Sequence, residues 1–204
     1  MNFTFSHPNV GSYDFSLIDE DSILDSFQTG PDGDVLGSWL REKARVCHQE
    51  DLTRVWLMCP AGKTEPDGYF SLANHELMRS NVGLKPKKLA YEADDEHRTV
   101  VGVYENHPAQ LLGKFALDMT KSGQPGMSSM LLAGVFRAYL EAAKYSASRY
   151  LVLHVRNDRL VQYYKNYDFD VASGRSRGDL RTCYMDTRTV EDAYSRLGSS
   201  YRVA

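Results

Sequence analysis

The chain has 204 residues, 42% of them hydrophobic and 25% charged, and its formal net charge at pH 7 is −3. This length can bury the core of one α/β domain with an extension. No run of eighteen apolar residues occurs, and the first residues lack the basic start and apolar core of a secretory signal, so no membrane association is expected. The cysteines, Cys47, Cys59 and Cys183, have neither zinc-site spacing nor a disulfide framework. We therefore expect a cytoplasmic protein with reduced cysteines.

The first half of the chain mixes short helical and strand patterns. Residues 1–18 show no clear period, which predicts an irregular arm or a first strand. Apolar spacing predicts a short helix over Glu20–Phe27 and a longer helix over Asp34–Glu50, with Asp34 as its N-cap. Two β-rich segments, Arg54–Cys59 and Gly68–His75, predict strands. A further strand is predicted over Thr99–Tyr104.

The middle of the chain carries the pattern that matters most for function. An apolar strand over His107–Asp118 is followed by a small-residue loop, Ser122–Ser129, and then by a helix that ends near Ala147. A glycine-bearing loop between a strand and a helix start is suited to bind phosphate, because the first helical turn has unpaired N–H groups and a favourable dipole. The alternative is an ordinary strand–turn–helix connection.

The C-terminal part predicts a buried strand, a short helix, two closing antiparallel strands and a terminal helix. In that order these are Tyr150–Val155, Arg159–Asn166 capped by Asp158, Phe169–Ala172, Leu180–Asp186 and Val190–Leu197. We see no linker or internal repeat, so we expect one domain over 1–204, with a core of about 20–186. The extension over 187–204 either packs on that core or forms a homodimer contact.

The order of these segments resembles that of the GNAT superfamily of acetyl-CoA-dependent N-acetyltransferases. Phe115–Asp118 resembles the family's central strand, Gly123–Ser128 its pyrophosphate loop, Leu151–Asn157 the next strand, and Leu160–Phe169 its aromatic-rich ending. The chain departs from the family pattern at Pro125 and Ser128 in the loop and at Asp168, where the family has glycine. The resemblance implies one α/β (α+β) domain whose mixed, mostly antiparallel central sheet is splayed in the middle and flanked by helices.

Several segments narrow the resemblance to the acetyltransferase toxins of bacterial toxin–antitoxin pairs. These segments are Phe27–Gly30, Leu36, Trp39–Leu40, Arg54, Gly68–Leu72 and Pro108–Asp118. That branch implies acetylation of the amino group of aminoacyl-tRNA, a block of translation, and a ribbon-helix-helix antitoxin as partner. Two basic clusters favour a nucleic-acid partner, although each also suits a solvated loop. They consist of Lys85, Lys87 and Lys88, and of Arg175, Arg177 and Arg181.

Two other functions stay open at this point. The first is an enzyme of the same fold that acetylates a small-molecule or protein amine. The second is a cofactor-poor binding module, which the altered loop around Pro125 and Ser128 favours.

The resemblance also implies the residues of the site and a need for acetyl-CoA but no metal. Backbone groups of Phe115, Ala116 and Leu117 bind the pantetheine arm and the developing oxyanion, while Asn157 reaches the pantetheine. Tyr164 is the general acid, since a phenol is protonated at neutral pH. The pyrophosphate is held by Gly123, Gln124, Gly126, Met127, Ser128 and Ser129. No general base is assigned, and His75, His107 and His154 are interpreted as structural histidines.

Overall fold

The computed structural model describes residues 2–30, 34–82, 106–173, 179–198 and 201–203. Its strands are β1 (Phe3–His7), β2 (Gly11–Leu17), β3 (Arg54–Pro60), β4 (Gly68–Met78), β5 (Asn106–Leu117), β6 (Tyr150–Val155), β7 (Asp170–Val171), β8 (Arg181–Asp186) and β9 (Arg202–Val203). Its helices are α1 (Val35–Glu42), α2 (Ala44–Gln49), α3 (Met127–Ser146), α4 (Asp158–Lys165) and α5 (Thr187–Gly198), with a 3₁₀ turn at Arg79–Asn81. Among these helices none is long and apolar enough to cross a membrane.

The nine described strands form one sheet in the order β7-β8-β6-β5-β4-β3-β2-β1-β9. Among the described strands, only β5 and β6 pair in parallel, and the other neighbours are antiparallel. Within the described residues, the strands and helices predicted from Arg54 onward lie within a few residues of those observed. The predicted mixed, mostly antiparallel sheet flanked by helices is confirmed.

The sheet is splayed between β5 and β6. Their pairing runs from Ala109 opposite Tyr150 to Leu112 opposite Leu153, and it stops there although β5 continues to Leu117. At the same level the β4–β5 register shifts, so that Gly113 is an extra residue in β5. A bulge of this kind bends and twists its strand, which accounts for the divergence of β5 from β6.

The two faces of the sheet carry different helices. On one face, α3 covers the main core, in which Phe15, Phe70 and Phe136 are fully buried. On the other face, a second cluster packs α1 and α2 against alternate residues of β3 and β4, such as Leu57 and Tyr69. The period of two along each strand separates these clusters, since Met58 and Phe70 face α3.

The N-terminal region differs from its prediction in two places. Residues 1–18 form the antiparallel pair β1–β2 rather than an arm or a single strand. The helix predicted over Glu20–Phe27 is wrong, because this segment is irregular. The Arg45 guanidinium of α2 donates to the carbonyl oxygens of Asp19 and Ser22, at 3.1 and 2.9 Å, and these long-range bonds hold the segment in its irregular form.

The helix predicted over Asp34–Glu50 is interrupted at Lys43 and becomes α1 and α2. Asp34 precedes α1 but its side chain makes no cap bond. Its carboxylate instead accepts from the backbone and hydroxyl of Thr29 and from Arg41. Val35, the first residue of α1, is 63% exposed.

The C-terminal extension packs on the core. Helix α5 lies against α3, where the Tyr139 and Thr187 hydroxyls are 2.7 Å apart. After it, Tyr201 packs on Phe5 with ring centroids 5.8 Å apart, and β9 pairs with β1. The predicted strand Thr99–Tyr104, the lysine cluster at 85–88 and the arginines at 175 and 177 lie outside the described residues.

Candidate active site

The exposed backbone edge of β5 is the centre of the site. Phe115, Ala116 and Leu117 pair with β4 on one side, opposite Phe70, Tyr69 and Gly68 respectively. On the other side, no described strand pairs with residues 113–117. An unpaired strand edge offers a row of N–H and C=O groups to an extended ligand. The geometry therefore brings the three predicted β5 residues to the edge of a gap in the sheet.

Asp118 ties the end of β5 to the loop that follows. Its side chain is 8% exposed and accepts from the backbone N–H of Gln28 and Thr120, both at 2.9 Å, and from the Thr120 hydroxyl. Burial by itself raises the pKa of Asp118, but the hydrogen bonds from Thr120 and Gln28 outweigh it and hold the pKa below its usual value. The loop therefore starts from a fixed, ionised anchor.

The loop keeps several amides free. The N–H groups of Lys121 and Ser122 donate to the Asp118 carbonyl, and that of Gln124 donates to Lys121. Within the described chain, no hydrogen bond from the N–H of Gly123, Gly126, Ser128 or Ser129 is found. Ser128 and Ser129 lie in the first turn of α3, where the N–H groups and the helix dipole favour an anion. Pro125 removes one donor and leaves these four in place.

Gly126 and Asp168 both have the left-handed backbone conformation, and each occupies a turn close to the site. Gly126 has φ +87°, and a Cβ there would lie 2.7 Å from Cγ2 of Val10 in the β1–β2 turn. Both the backbone conformation and this close contact favour glycine at position 126. Asp168 keeps a left-handed φ of 68° where the resembling family has glycine, and it forms an ion pair with Arg196 of α5. The left-handed turn before Phe169 is therefore kept without glycine.

Tyr164 lies against the central strand from the side of α4. Its side chain is 6% exposed, and its ring meets that of Phe115 edge to face with centroids 6.4 Å apart. Burial raises the pKa of Tyr164 well above its usual range, and the nearby Tyr163 and Cys183 add to this effect. The phenol is therefore fully protonated at neutral pH and can act only as a proton donor.

Asn157 is the N-cap of α4, a role that the sequence analysis predicted for Asp158. Its Oδ1 accepts from the N–H of Leu160 at 2.9 Å, so Asn157 caps α4 and the predicted cap, Asp158, is the first helical residue. Asn157 lies two residues beyond Val155, the last residue of β6, at the carboxyl end of that strand. Its amide NH₂ makes no hydrogen bond to the described residues, and it is free to donate to a ligand.

Two contacts around the site were not predicted from the sequence. The hydroxyls of Ser129 and Tyr167 lie 2.8 Å apart, which ties the first turn of α3 to α4. On the opposite face, the Lys114 ammonium lies 5.3 Å from the ring centroid of Trp39. Alternation along β5 was the one available signal, since Lys114 shares a face with Ala116.

The three histidines considered at the outset are accounted for by packing. His107 is 3% exposed and meets the Tyr150 ring edge to face at 5.7 Å. The rings of His75 and His154 meet each other at 5.8 Å, and burial lowers the pKa of both. We assign a catalytic role to none of them. Within the described ranges, no three His, Cys, Asp or Glu side chains converge on a metal-sized site.

Comparison with known proteins identifies the architecture. No protein-family profile matches the chain. A tRNA-acetylating toxin of Mycobacterium tuberculosis is 24% identical over 156 residues, which cover 76% of this chain and 82% of the toxin. The structure of AtaT complexed with acetyl-methionyl-tRNAfMet matches with a TM-score of 0.72 and 20% identity, over 89% of this chain and 99% of AtaT.

A second structure is informative about ligands. It holds a tyrosine-to-phenylalanine mutant of the toxin AtaT bound to the C-terminus of the antitoxin AtaR and to acetyl-CoA. It matches with a TM-score of 0.66 and 17% identity, over 90% of this chain and 98% of that one. The chain thus resembles the GNAT-type acetyltransferase toxins in fold and, distantly, in sequence.

Proposed function

We propose that this chain, which shares the fold of the GNAT-type acetyltransferase toxins, is an acetyl-CoA-dependent N-acetyltransferase whose acceptor is the amino group of aminoacyl-tRNA. One observation carries the proposal. The unpaired edge of β5 leads into a loop with free amides, and Phe115 on that edge contacts the ring of Tyr164, a buried proton donor. A thioester donor with a diphosphate and an extended arm has chemical groups that match each of these three features.

The residues present fit acetyl-CoA. The free N–H groups of Gly123, Gly126, Ser128 and Ser129 suit its pyrophosphate, and the α3 dipole adds to their attraction. The free edge of Phe115–Leu117 suits the amide groups of pantetheine, in the manner of an added strand. Gln124 and Met127 have their N–H groups engaged within the loop, so they shape it rather than donate. Asn157 has an amide NH₂ available to the pantetheine.

Acetyl-CoA supplies the acetyl group as an activated thioester. The backbone N–H groups on the free edge of β5 are fixed in position before the reaction, and a preorganised donor of this kind stabilises an oxyanion by roughly 3–4 kcal/mol. As the new C–N bond forms and the C–S bond breaks, the Tyr164 hydroxyl donates its proton to the departing sulfur. The acceptor nitrogen loses its extra proton to water, and Tyr164 regains a proton from water, so the atoms balance without a protein base.

An aminoacyl ester suits a site without a base. An α-amino group titrates at about pH 8, so a substantial neutral fraction exists at physiological pH. A lysine side chain titrates at about pH 10.4 and is almost wholly protonated there. The site therefore suits α-amines better than lysine amines. The similarity to a tRNA-acetylating toxin, and to AtaT bound to acetyl-methionyl-tRNAfMet, supports aminoacyl-tRNA as the carrier of that amine.

The same relatives support a partner. AtaT has been captured with the C-terminus of the antitoxin AtaR, and we propose that this chain is neutralised by an antitoxin as well. The ribbon-helix-helix class of that antitoxin rests on the family resemblance alone, and a homodimer of this chain stays a prediction drawn from the extension over 187–204.

A transfer experiment tests the proposal. The protein is incubated with labelled acetyl-CoA and a mixture of charged tRNAs, the same tRNAs after deacylation, or free amino acids and a lysine-containing peptide. We expect label on the charged tRNA only, and mild base should release it as N-acetyl amino acid. Label on the peptide or on free amino acids alone would contradict the tRNA assignment, and no label in any mixture would contradict the enzyme assignment.

A further inference from the structure

Lys114 is a cation without an ion-pair partner among the described residues. Its ammonium lies 5.3 Å from the Trp39 ring centroid, and that ring stacks on Tyr69 with centroids 5.9 Å apart. By contrast, Lys121 lies 3.2 Å from Asp67, and Arg41 forms an ion pair with Asp34. Among the described residues, the Lys114 ammonium therefore rests on the Trp39 ring and pairs with no carboxylate.

The position of Lys114 relative to the proposed chemistry follows from strand alternation. Phe115 and Leu117 pack with the main core, which contains Tyr164. Ala116 packs with the cluster of α1 and α2 on the opposite face, and Lys114 shares that face. In the proposed reaction the leaving sulfur meets Tyr164 on the main-core face, and the amine is assigned to the face of α1 and α2. Lys114 therefore lies on the acceptor side, two residues before Ala116.

We propose that Lys114 binds a phosphodiester at the 3′ end of the acceptor RNA and thereby selects amines carried on nucleic acid. This inference rests on the proposed function and specifies how that site recognises its substrate. An unpaired ammonium, preordered on an indole ring, loses little side-chain freedom on binding phosphate. The Lys114 charge also disfavours protein substrates, because it would repel the protonated lysine that such a substrate presents.

The test compares Lys114→Gln and Lys114→Arg with a matched control, Lys144→Gln. Lys144 is an exposed lysine near the C-terminal end of α3, paired with Glu141, and its loss changes the net charge equally. Each protein is assayed with aminoacyl-tRNA and with the aminoacyl ester of adenosine, which carries the same amine without a phosphate.

For Lys114→Gln we expect kcat/KM on aminoacyl-tRNA to fall about tenfold, mainly through KM, as for one lost charge-assisted contact. The slope of log(kcat/KM) against log salt should shrink by about 0.7, the value for one contact with a single strand. Activity on the adenosine ester should be unchanged. Lys114→Arg should retain most activity on both substrates, and Lys144→Gln should match wild type.

Two results would overturn the inference. In the first, Lys114→Gln lowers kcat/KM equally on aminoacyl-tRNA and on the adenosine ester, which means that Lys114 acts on the amine or on folding. In the other, the variant acetylates tRNA as wild type does, at the same salt slope. Failure of the wild-type protein to acetylate any charged tRNA is a separate result, because it overturns the proposed function first and the inference with it.

Discussion

The rings of Phe115 and Tyr164 meet edge to face with centroids 6.4 Å apart. Phe115 belongs to the part of β5 that has left β6, while Tyr164 belongs to α4, which follows β6 in the chain. The contact therefore bridges the two elements that the splay separates. It holds the Tyr164 ring against the side chain of Phe115, whose backbone belongs to the free edge.

Replacing Tyr164 with phenylalanine should lower turnover about a hundredfold, the usual contribution of a general acid. The aromatic ring and its packing on Phe115 remain, so the Kd for acetyl-CoA should stay within about twofold. Steady-state kinetics and calorimetric titration measure the two quantities. Tyr194→Phe is the control, because it also removes a hydrogen-bonded hydroxyl, the acceptor of Arg137 at 3.2 Å, but lies on α5. Equal turnover in Tyr164→Phe and wild type would remove Tyr164 from the reaction.

Replacing Gly126 with alanine should weaken acetyl-CoA binding about tenfold and lower the free energy of unfolding by about 1 kcal/mol or more. The new Cβ would meet Val10 at 2.7 Å at a left-handed φ, so the loop and its free amides must move. Gly198→Ala is the control, since a Cβ there meets nothing within 4 Å. Unchanged affinity in Gly126→Ala would show that the loop amides do not hold the donor.

Replacing Asp118 with asparagine should lower the free energy of unfolding by about 1–2 kcal/mol at pH 7, since charge-assisted bonds from Gln28 and Thr120 are lost. The folded-state pKa of Asp118 lies below that of the unfolded chain. Its contribution is therefore present above the unfolded value of about 3.9 and is lost as pH falls through the folded value. Denaturant titrations from pH 7 to pH 3 should show that the difference in free energy of unfolding between wild type and Asp118→Asn shrinks in acid. If that difference in free energy stays constant from pH 7 to pH 3, the charge of Asp118 is not what stabilises the loop.

The sequence predicted the part of the fold that follows from local patterns. The strand over 107–118 and the long helix follow from their apolar patterns, and the loop between them follows from its small residues. The splay between two strands was predicted from the family resemblance. These features place Tyr164 beside β5 and place Ser128 and Ser129 in the first turn of α3. The predicted roles of these residues stay predictions until they are measured.

The features that the sequence did not reveal depend on contacts between distant residues. Arg45 removes the predicted helix at Glu20–Phe27 by bonding to carbonyls 23 and 26 positions away. Tyr201 joins the extension to Phe5 across almost the whole chain. The bulge at Gly113 arises from pairing with β4. Such effects come from tertiary structure, which overrides local propensity.

The central claim is that the gap between β5 and β6 admits a thioester donor whose pantetheine arm lies along Phe115–Leu117. The most direct measurement is thermal unfolding with acetyl-CoA, compared with adenosine 3′,5′-bisphosphate, which lacks the arm. At a hundred times its Kd, acetyl-CoA should stabilise the fold by about 2.7 kcal/mol, a rise in Tm of about 5–10 °C, and the nucleotide at the same concentration should give a clearly smaller rise. Equal rises with both compounds, or no rise at millimolar acetyl-CoA, would contradict the claim.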